Sequence, residues 1–328
     1  MSSPTAAFGR LRTRFQTRGA ASINPGLLVA LALIFVALSI STPYFFTPDN
    51  LLNIAKAVTV VGIASAGESI VIISGGFDLS VGSTMAAAGM LAAWLLESGA
   101  PIPLAFVTAI GLGVLIGVVN GTIISYFRIN PLITTLGTLA IVRGLAFVIS
   151  GGREIVISDP AWLELGTGVW LGIPIIVVFA LTTFVVIGWS MPRTPFGRYV
   201  YAIGSNIRAA RLAGIAVDRW RLVFYIVCGA TAALSGLVLT ARTGSARPSA
   251  AVGFELDVIT AVILGCASLS GGRGTVWGTL VGLVLIGVIN NGLTLAQVPA
   301  FWQQVVKGVI LLSAVLYDEL RRHRRDET

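Results

Sequence analysis

The sequence predicts an all-α, polytopic membrane protein, and three observations point to that class. Hydrophobic residues make up 55% of the 328 residues, charged residues 11%, and the mean hydropathy is +0.91, whereas a soluble domain carries about a quarter charged residues. Ten stretches approach the length of about 20 apolar residues that a membrane-crossing helix needs: 24–41, 54–73, 80–97, 102–127, 131–150, 170–191, 222–241, 256–270, 275–297 and 302–317. With the N-terminus inside, sixteen arginines fall in inner segments and three, Arg153, Arg242 and Arg247, in outer ones. That asymmetry is the positive-inside pattern. It agrees with an even number of spans and cytoplasmic termini.

In chain order, residues 1–23 form a basic arm that this orientation places in the cytoplasm. The stretch 24–41 is long and runs into SISTPYFF without a small-x-small cleavage site, so it is expected to be retained as a span. The next two stretches flank SGGFDLSVGS, residues 74–83. There Gly75 and Gly76 permit a sharp turn, and Asp78, just before Ser80, can cap a helix beginning near Leu79 at the cytoplasmic end. A second reading of the same residues has the break dip into the membrane, with Asp78 part of an inner gate or accepting hydrogen bonds from a solute.

The fourth stretch carries Gly113, Gly117 and Gly121, and the ninth region Gly274, Gly278 and Gly282. Small residues every fourth position let helix backbones approach closely in lipid. Glu68, Arg143 and Lys307 are ionisable residues inside spans. Such groups either snorkel, pair with one another or serve a solute path. The connection 151–169 is expected outside and 192–221 inside. Residues 24–317 thus form one transmembrane domain, followed by a short inner tail, 318–328.

Several chemistries are excluded. The only lysines, Lys56 and Lys307, are followed by Ala57 and Gly308, so no phosphate-binding G-x-x-x-x-G-K-[ST] loop exists. The single histidine, His323, leaves no histidine cluster for a metal and no Ser-His or Cys-His pair. No cofactor and no enzymatic activity are expected of this chain. The net charge of +8 is spread over short inner loops without interleaved aromatics, which argues against nucleic-acid binding. Cys228 and Cys266 lie inside spans and imply packing rather than disulfides.

An internal echo gives the chain two halves. LIGVVNG at 115–121 and LIGVINN at 285–291 agree at five of seven positions in spans of opposite direction, the trace of an inverted repeat. It pairs Asn120 with Asn290. Each is read as an interhelical hydrogen-bonding residue or as a place on the solute path.

SGGFDLSVGS, NPLITTLGTLAIVRG at 130–144, FELDVITAVILGCASLSGGRGTVWGTLVGLVLIGVINNGL at 254–293 and FWQQVVKGVILL at 301–312 together resemble the permease subunits of bacterial ABC importers for ribose, xylose and related sugars. The likeness runs from about Tyr44 to about Tyr317. It implies a fold similar to the cobalamin importer permease, with about ten spans in two inverted halves, in the bacterial inner membrane. It also implies partners: a second permease subunit, expected as a homodimer, a cytoplasmic ATPase with two nucleotide-binding domains that carries ATP and magnesium, and a soluble binding protein that delivers a monosaccharide.

Within PRTPFGRYVYAIGSNIRAARLAGIAVDRWR, residues 192–221, AARLAG resembles the A-A-x-x-x-G of such importers' coupling helix. Gly204, Asn206, Ala209, Ala210, Arg211 and Gly214 are therefore the expected ATPase contacts, with Asn206 suited to cap a short helix. Arg208 stands where relatives often carry an acidic residue. The expected path or gate residues are Glu68, Gly75, Gly76, Asp78, Ser80, Asn120 and Asn290. The alternatives are a proton- or ion-coupled carrier using Glu68, a passive channel, an ordinary amphipathic interface helix at 206–215, and a permease for a solute other than sugar.

Overall fold

The computed structural model describes residues 25–265 and 267–326. The basic arm 1–23, Cys266 and the side chains of the four tail arginines lie outside the described residues. In chain order the helices are α1 (Pro25–Ser41), α2 (Pro48–Ile73), α3 (Val81–Glu97), α4 (Ile102–Ser125), α5 (Pro131–Ser150), α6 (Pro160–Thr167), α7 (Ile175–Arg193), α8 (Pro195–Ser205), α9 (Ile207–Leu212), α10 (Val217–Thr243), α11 (Phe254–Leu264), α12 (Val276–Leu295) and α13 (Ala300–Asp326). Seven of the described helices are long and apolar enough to cross a membrane, and α1 and α3 are shorter apolar helices of 17 residues each.

The eighth apolar stretch departs from expectation. Its helix, α11, has 11 residues, about 16 Å at 1.5 Å per residue, and ends at Gly265 rather than continuing to residue 270. Helix α13 runs on through the expected tail to Asp326.

Starts and stops follow local chemistry. Thr47, Asn130, Asp159 and Thr275 each accept a backbone N–H of the following turn, and proline stands in the first turn of α2, α4, α5, α6 and α8, where its missing donor costs nothing. On the outer side of the expected topology, β1 (Ile155–Val156) pairs antiparallel with β4 (Ser245–Ala246), while β2 (Val169–Trp170) and β3 (Ile173–Pro174) form a small hairpin. Trp162 of α6 is fully buried beneath this layer.

The most buried long helices are α2 and α10, with 78% and 61% of their apolar windows inside the protein. They form the axis around which the others pack. The glycine ridges explain how closely α4 approaches α10. A Cβ at Gly113 would run into the Gly229 carbonyl, one at Gly117 into the Tyr225 carbonyl, and one at Gly121 would stand 2.9 Å from the Leu222 Cα. Gly278 and Gly282 of α12 face the backbone of Gly265 and Ala261 in the same way. Both ridges are helix-packing surfaces, except that Gly274 precedes α12 and, with a φ of +137°, belongs to the loop ahead of it.

None of the three intraspan ionisable residues pairs with another. Arg143 donates from its Nη1 to the carbonyls of Pro248 and Ala250, at 2.8 and 2.6 Å, and so ties α5 to the connection ahead of α11. The Lys307 Nζ lies 2.7 Å from Asp257 Oδ2, joining α13 to α11. Glu68 belongs to the site below.

Candidate functional site

The SGG break brings six polar side chains together. After Ile73 the chain reverses at Gly75, whose φ of +81° is natural for glycine alone. The Gly76 N–H then bonds back to the Val71 carbonyl at 2.9 Å and the Asp78 N–H to Glu68 Oε1 at 3.0 Å. Glu68 stands five residues before the end of α2, so Asp78 lies about 7.5 Å back along that helix. The chain after the break therefore folds back along the last turns of α2.

The helix that follows begins at Val81, and its N-cap residue Ser80 makes no side-chain cap bond. Asp78 instead accepts the Ser80 N–H at 2.9 Å and the Ser80 hydroxyl at 2.5 Å. It holds the turn that leads into α3, not the first helical N–H groups.

Two further helices close the cluster. Asn120 of α4 donates to Ser80 Oγ at 2.9 Å and to Asp78 Oδ2 at 3.4 Å, and its Oδ1 accepts from the Thr138 hydroxyl of α5 at 2.6 Å. The Cys228 thiol of α10 donates to Glu68 Oε2 at 3.2 Å. Glu68, Ser80 and Asn120 are fully buried, and Asp78 nearly so. Cys228 and Thr138 were not among the expected site residues. An isolated threonine or cysteine in an apolar helix carries no sign of such a role until its neighbours are known.

Just beneath the break lies the connection expected to couple to a partner. The Gly272 N–H bonds to the Ile73 carbonyl at 2.8 Å, and the Tyr201 hydroxyl of α8 bonds to the Gly274 carbonyl at 2.9 Å. A Cβ at Gly204 would strike the Ile73 carbonyl, so α8 touches the end of α2 backbone to backbone. Movement of α8 would thus reach both the SGG break and a second glycine break, Gly271–Gly274 ahead of α12, directly. Asn206 caps α9 as expected, accepting the Ala209 N–H at 3.0 Å.

The residues of AARLAG divide. Ala209 is exposed, but Ala210 is buried within this chain, and Arg211 is bound to Asp218 at 2.8 Å. Gly214 has a φ of +82° and open space around it, which makes it the turn residue after α9. The exposed apolar knob is Leu212, at 91% exposure, which the AARLAG pattern did not single out. Asn290 lies apart from all of these, fourteen residues along α12 from its start, or about 21 Å away.

A polytopic bundle with a buried polar cluster, two glycine breaks and an exposed helical knob beside them describes a membrane permease. Residues 50–315 match the family described as branched-chain amino acid transport system / permease component, and the chain belongs to that family. It is 40% identical over 295 residues to the ribose import permease protein RbsC of Bacillus subtilis (strain 168), covering 89% of this chain and 92% of the relative. It is 39% identical over 294 residues to RbsC of Haemophilus influenzae, covering 88% and 91%. Identity to the L-arabinose transport system permease protein AraH of Escherichia coli (strain K12) is 37% over 297 residues, covering 90% of each chain. No solved structure matches the chain.

Proposed function

We propose that this chain is the membrane subunit of an ATP-driven importer and forms the path for a monosaccharide that a soluble binding protein delivers. The observation that carries this reading is the 37–40% identity, across about nine-tenths of the chain, to permeases named for ribose and L-arabinose import. The absence of a phosphate-binding loop from the sequence fits a subunit whose energy comes from a separate ATPase with two nucleotide-binding domains. The exposed Leu212 and Ala209, set on a capped helix beside both glycine breaks, suit α8 and α9 to be that ATPase's docking element.

In this reading α8 and α9 face the cytoplasm, both termini lie on the same side, and the host membrane is the bacterial inner membrane. The sixteen-to-three arginine asymmetry supports that orientation. Counting the half-length α11 with the glycine-rich stretch 265–275 as one crossing keeps ten crossings in two inverted halves, as in the cobalamin importer permease. The permease works as a pair, expected to be a homodimer. In each copy the Glu68–Asp78–Ser80–Asn120 cluster holds the inner end of the path.

Co-expression with an ATPase and a binding protein encoded in neighbouring reading frames tests the assignment. The tagged chain should draw the ATPase out of solubilised membranes, and the binding protein should stimulate its ATP hydrolysis. A chain that purifies alone while mediating uptake in cells would overturn the reading.

A further inference from the structure

The two small sheets, at the end of the bundle away from α8 and α9, have opposite characters. The β1–β4 pair is flanked by ion pairs, Arg247 with Glu154 at 2.9 Å and Arg153 with Glu97 at 2.7 Å. The β2–β3 hairpin carries no charge at all, because the chain has no aspartate, glutamate, lysine or arginine from Leu165 to Pro192. Its Val169, Trp170, Leu171 and Ile173 are nevertheless exposed, Trp170 at 62% and Leu171 at 84%.

The tip is built in an unusual way. Trp170 pairs with Ile173, which leaves Leu171 and Gly172 as a two-residue turn. Both have positive φ, +52° and +81°, the combination of a type I′ hairpin, whose favoured first residue is asparagine or aspartate. Those side chains tolerate the left-handed conformation and are at home in water, whereas leucine is served by neither. The hairpin is firmly held, since the Ile175 N–H bonds to the Gly168 carbonyl at 3.0 Å and the Gly168 N–H to the Glu164 carbonyl at 2.8 Å. The leucine is therefore presented by a fixed turn that water alone gives no reason to choose.

Directly after the hairpin comes α7, whose Leu181, Val185, Val186 and Trp189 are exposed along one face. Trp189 lies fourteen residues beyond Ile175, about 21 Å along the helix, and a strand of two residues adds about 7 Å. The run from Trp170 to Trp189 can thus reach about 28 Å, close to the hydrocarbon thickness of a bilayer. Tryptophans at such a spacing mark the two membrane–water borders. At the border nearer α8, Arg193 stands over the Trp189 ring, 5.8 Å from its centroid.

We propose that the β2–β3 hairpin is a lipid anchor, in which Trp170 and Leu171 enter the headgroup and upper acyl region of the leaflet away from α8 and α9. The partner is the phospholipid surface, engaged by apolar insertion because the hairpin has no charge to offer a headgroup. Its backbone stays at the interface, where the tip's N–H and C=O groups still meet water. Anchored at both borders, α7 has its depth and tilt fixed, and α8 follows it after Thr194 alone. The inference needs only that α7 crosses the membrane and stands apart from the importer reading.

The test uses the full chain with Cys266→Ser, reconstituted in phosphatidylethanolamine–phosphatidylglycerol vesicles and labelled with bimane at Leu171→Cys, while Cys228 stays buried. Arg153→Cys, beside the charged sheet, is the water reference, and Val185→Cys, on the exposed face of α7, is the deep one. A lipid bearing a nitroxide near the acyl carbonyl should quench position 171 at least twofold more than position 153, and aqueous iodide should quench it at least twofold less. A nitroxide near the acyl chain end should quench position 185 more than position 171.

Iodide quenching at 171 as strong as at 153 would overturn the anchor, since the tip would then stand in water. A thiol that bimane does not reach, or a label that neither agent quenches, would overturn it by showing protein over the tip. Shielding of position 171 from iodide only when the binding protein from a neighbouring reading frame is added would overturn it in favour of a docking site for that protein.

Discussion

Replacing Asp78 with asparagine keeps the side chain's shape and removes its charge. In the unaltered chain one carboxylate accepts from the Ser80 N–H, the Ser80 hydroxyl and the Asn120 amide. Asparagine can keep the two Ser80 bonds through its single carbonyl oxygen, but its own NH2 then meets the NH2 of Asn120. Asn120 can turn over only by giving up the bond from Thr138, whose hydroxyl would then donate to the Thr134 carbonyl alone, so part of the loss remains. Losing charge assistance takes about 1 kcal/mol from each retained bond, and the orphaned donor adds about 1–3 kcal/mol. Relief from burying a charge next to Glu68 offsets part of that sum.

The net cost for Asp78→Asn is about 1–3 kcal/mol, a fall in melting temperature of roughly 2–10 °C for a chain of this size. Cys228 supplies the readout, since its buried thiol becomes reactive only when the bundle opens; a thiol-reactive fluorogenic dye on a Cys266→Ser chain follows it. Asn120→Leu should cost as much, and the double variant should fall short of the sum by about 0.5–3 kcal/mol. Sugar uptake by Asp78→Asn should be reduced but retained. Unchanged melting in both single variants would refute the network. A stable, correctly inserted and wholly inactive Asp78→Asn would show instead that the carboxylate acts on the solute path.

Three further outcomes follow from the packing and the loops. Leu212→Asp should insert normally but lose ATPase co-purification by about tenfold or more, because burying a leucine in a partner groove contributes about 1.5–3 kcal/mol; full retention would move the docking element elsewhere. Gly214→Glu is the poorer probe, since its φ of +82° strains any side chain before a partner is met. Gly117→Val should destabilise the bundle by about 1–3 kcal/mol through overpacking against Tyr225 and Ile226, whereas Gly111→Ala, which meets nothing within 4 Å, should stay within about 0.5 kcal/mol of the unaltered chain.

On the outer layer, hydrogen bonds from Ser245 and Arg247 hold the Glu154 carboxyl below the usual range. A lowered folded-state value means that this contribution is complete above the free glutamate pKa, about 4.3, and fades as pH falls further. Hydrogen exchange of the Ile157 amide, bonded to the Gly244 carbonyl at 2.9 Å, should lose protection beyond the free-peptide trend below about pH 4. Glu154→Gln should abolish that extra loss.

Much of the bundle was legible because hydropathy and small-residue spacing are local signals. The glycine ridges, the Asn206 cap and seven of the apolar stretches needed no knowledge of neighbours. The folded-back course of residues 74–80 was only half legible: paired glycines announced a turn, but which way the chain left it depended on Glu68, ten residues earlier, receiving the Asp78 amide. The half-length α11 was hidden for a related reason, since apolar residues continue past Gly265 although the helix stops where α12 crosses its backbone. The Asn50–Asn291 pair joins residues 241 positions apart, beyond any periodicity. Sequence also treated Asn120 and Asn290 alike, and only tertiary packing separates the satisfied amide from the unsatisfied one.

Energy source tests the central claim most directly. Proteoliposomes holding this chain with its ATPase, supplied outside with binding protein and labelled pentose, should accumulate sugar only when ATP is enclosed, and a protonophore should leave the rate unchanged. Uptake that proceeds without ATP and collapses on adding the protonophore would contradict the account and make the buried Glu68 the centre of a proton-coupled carrier.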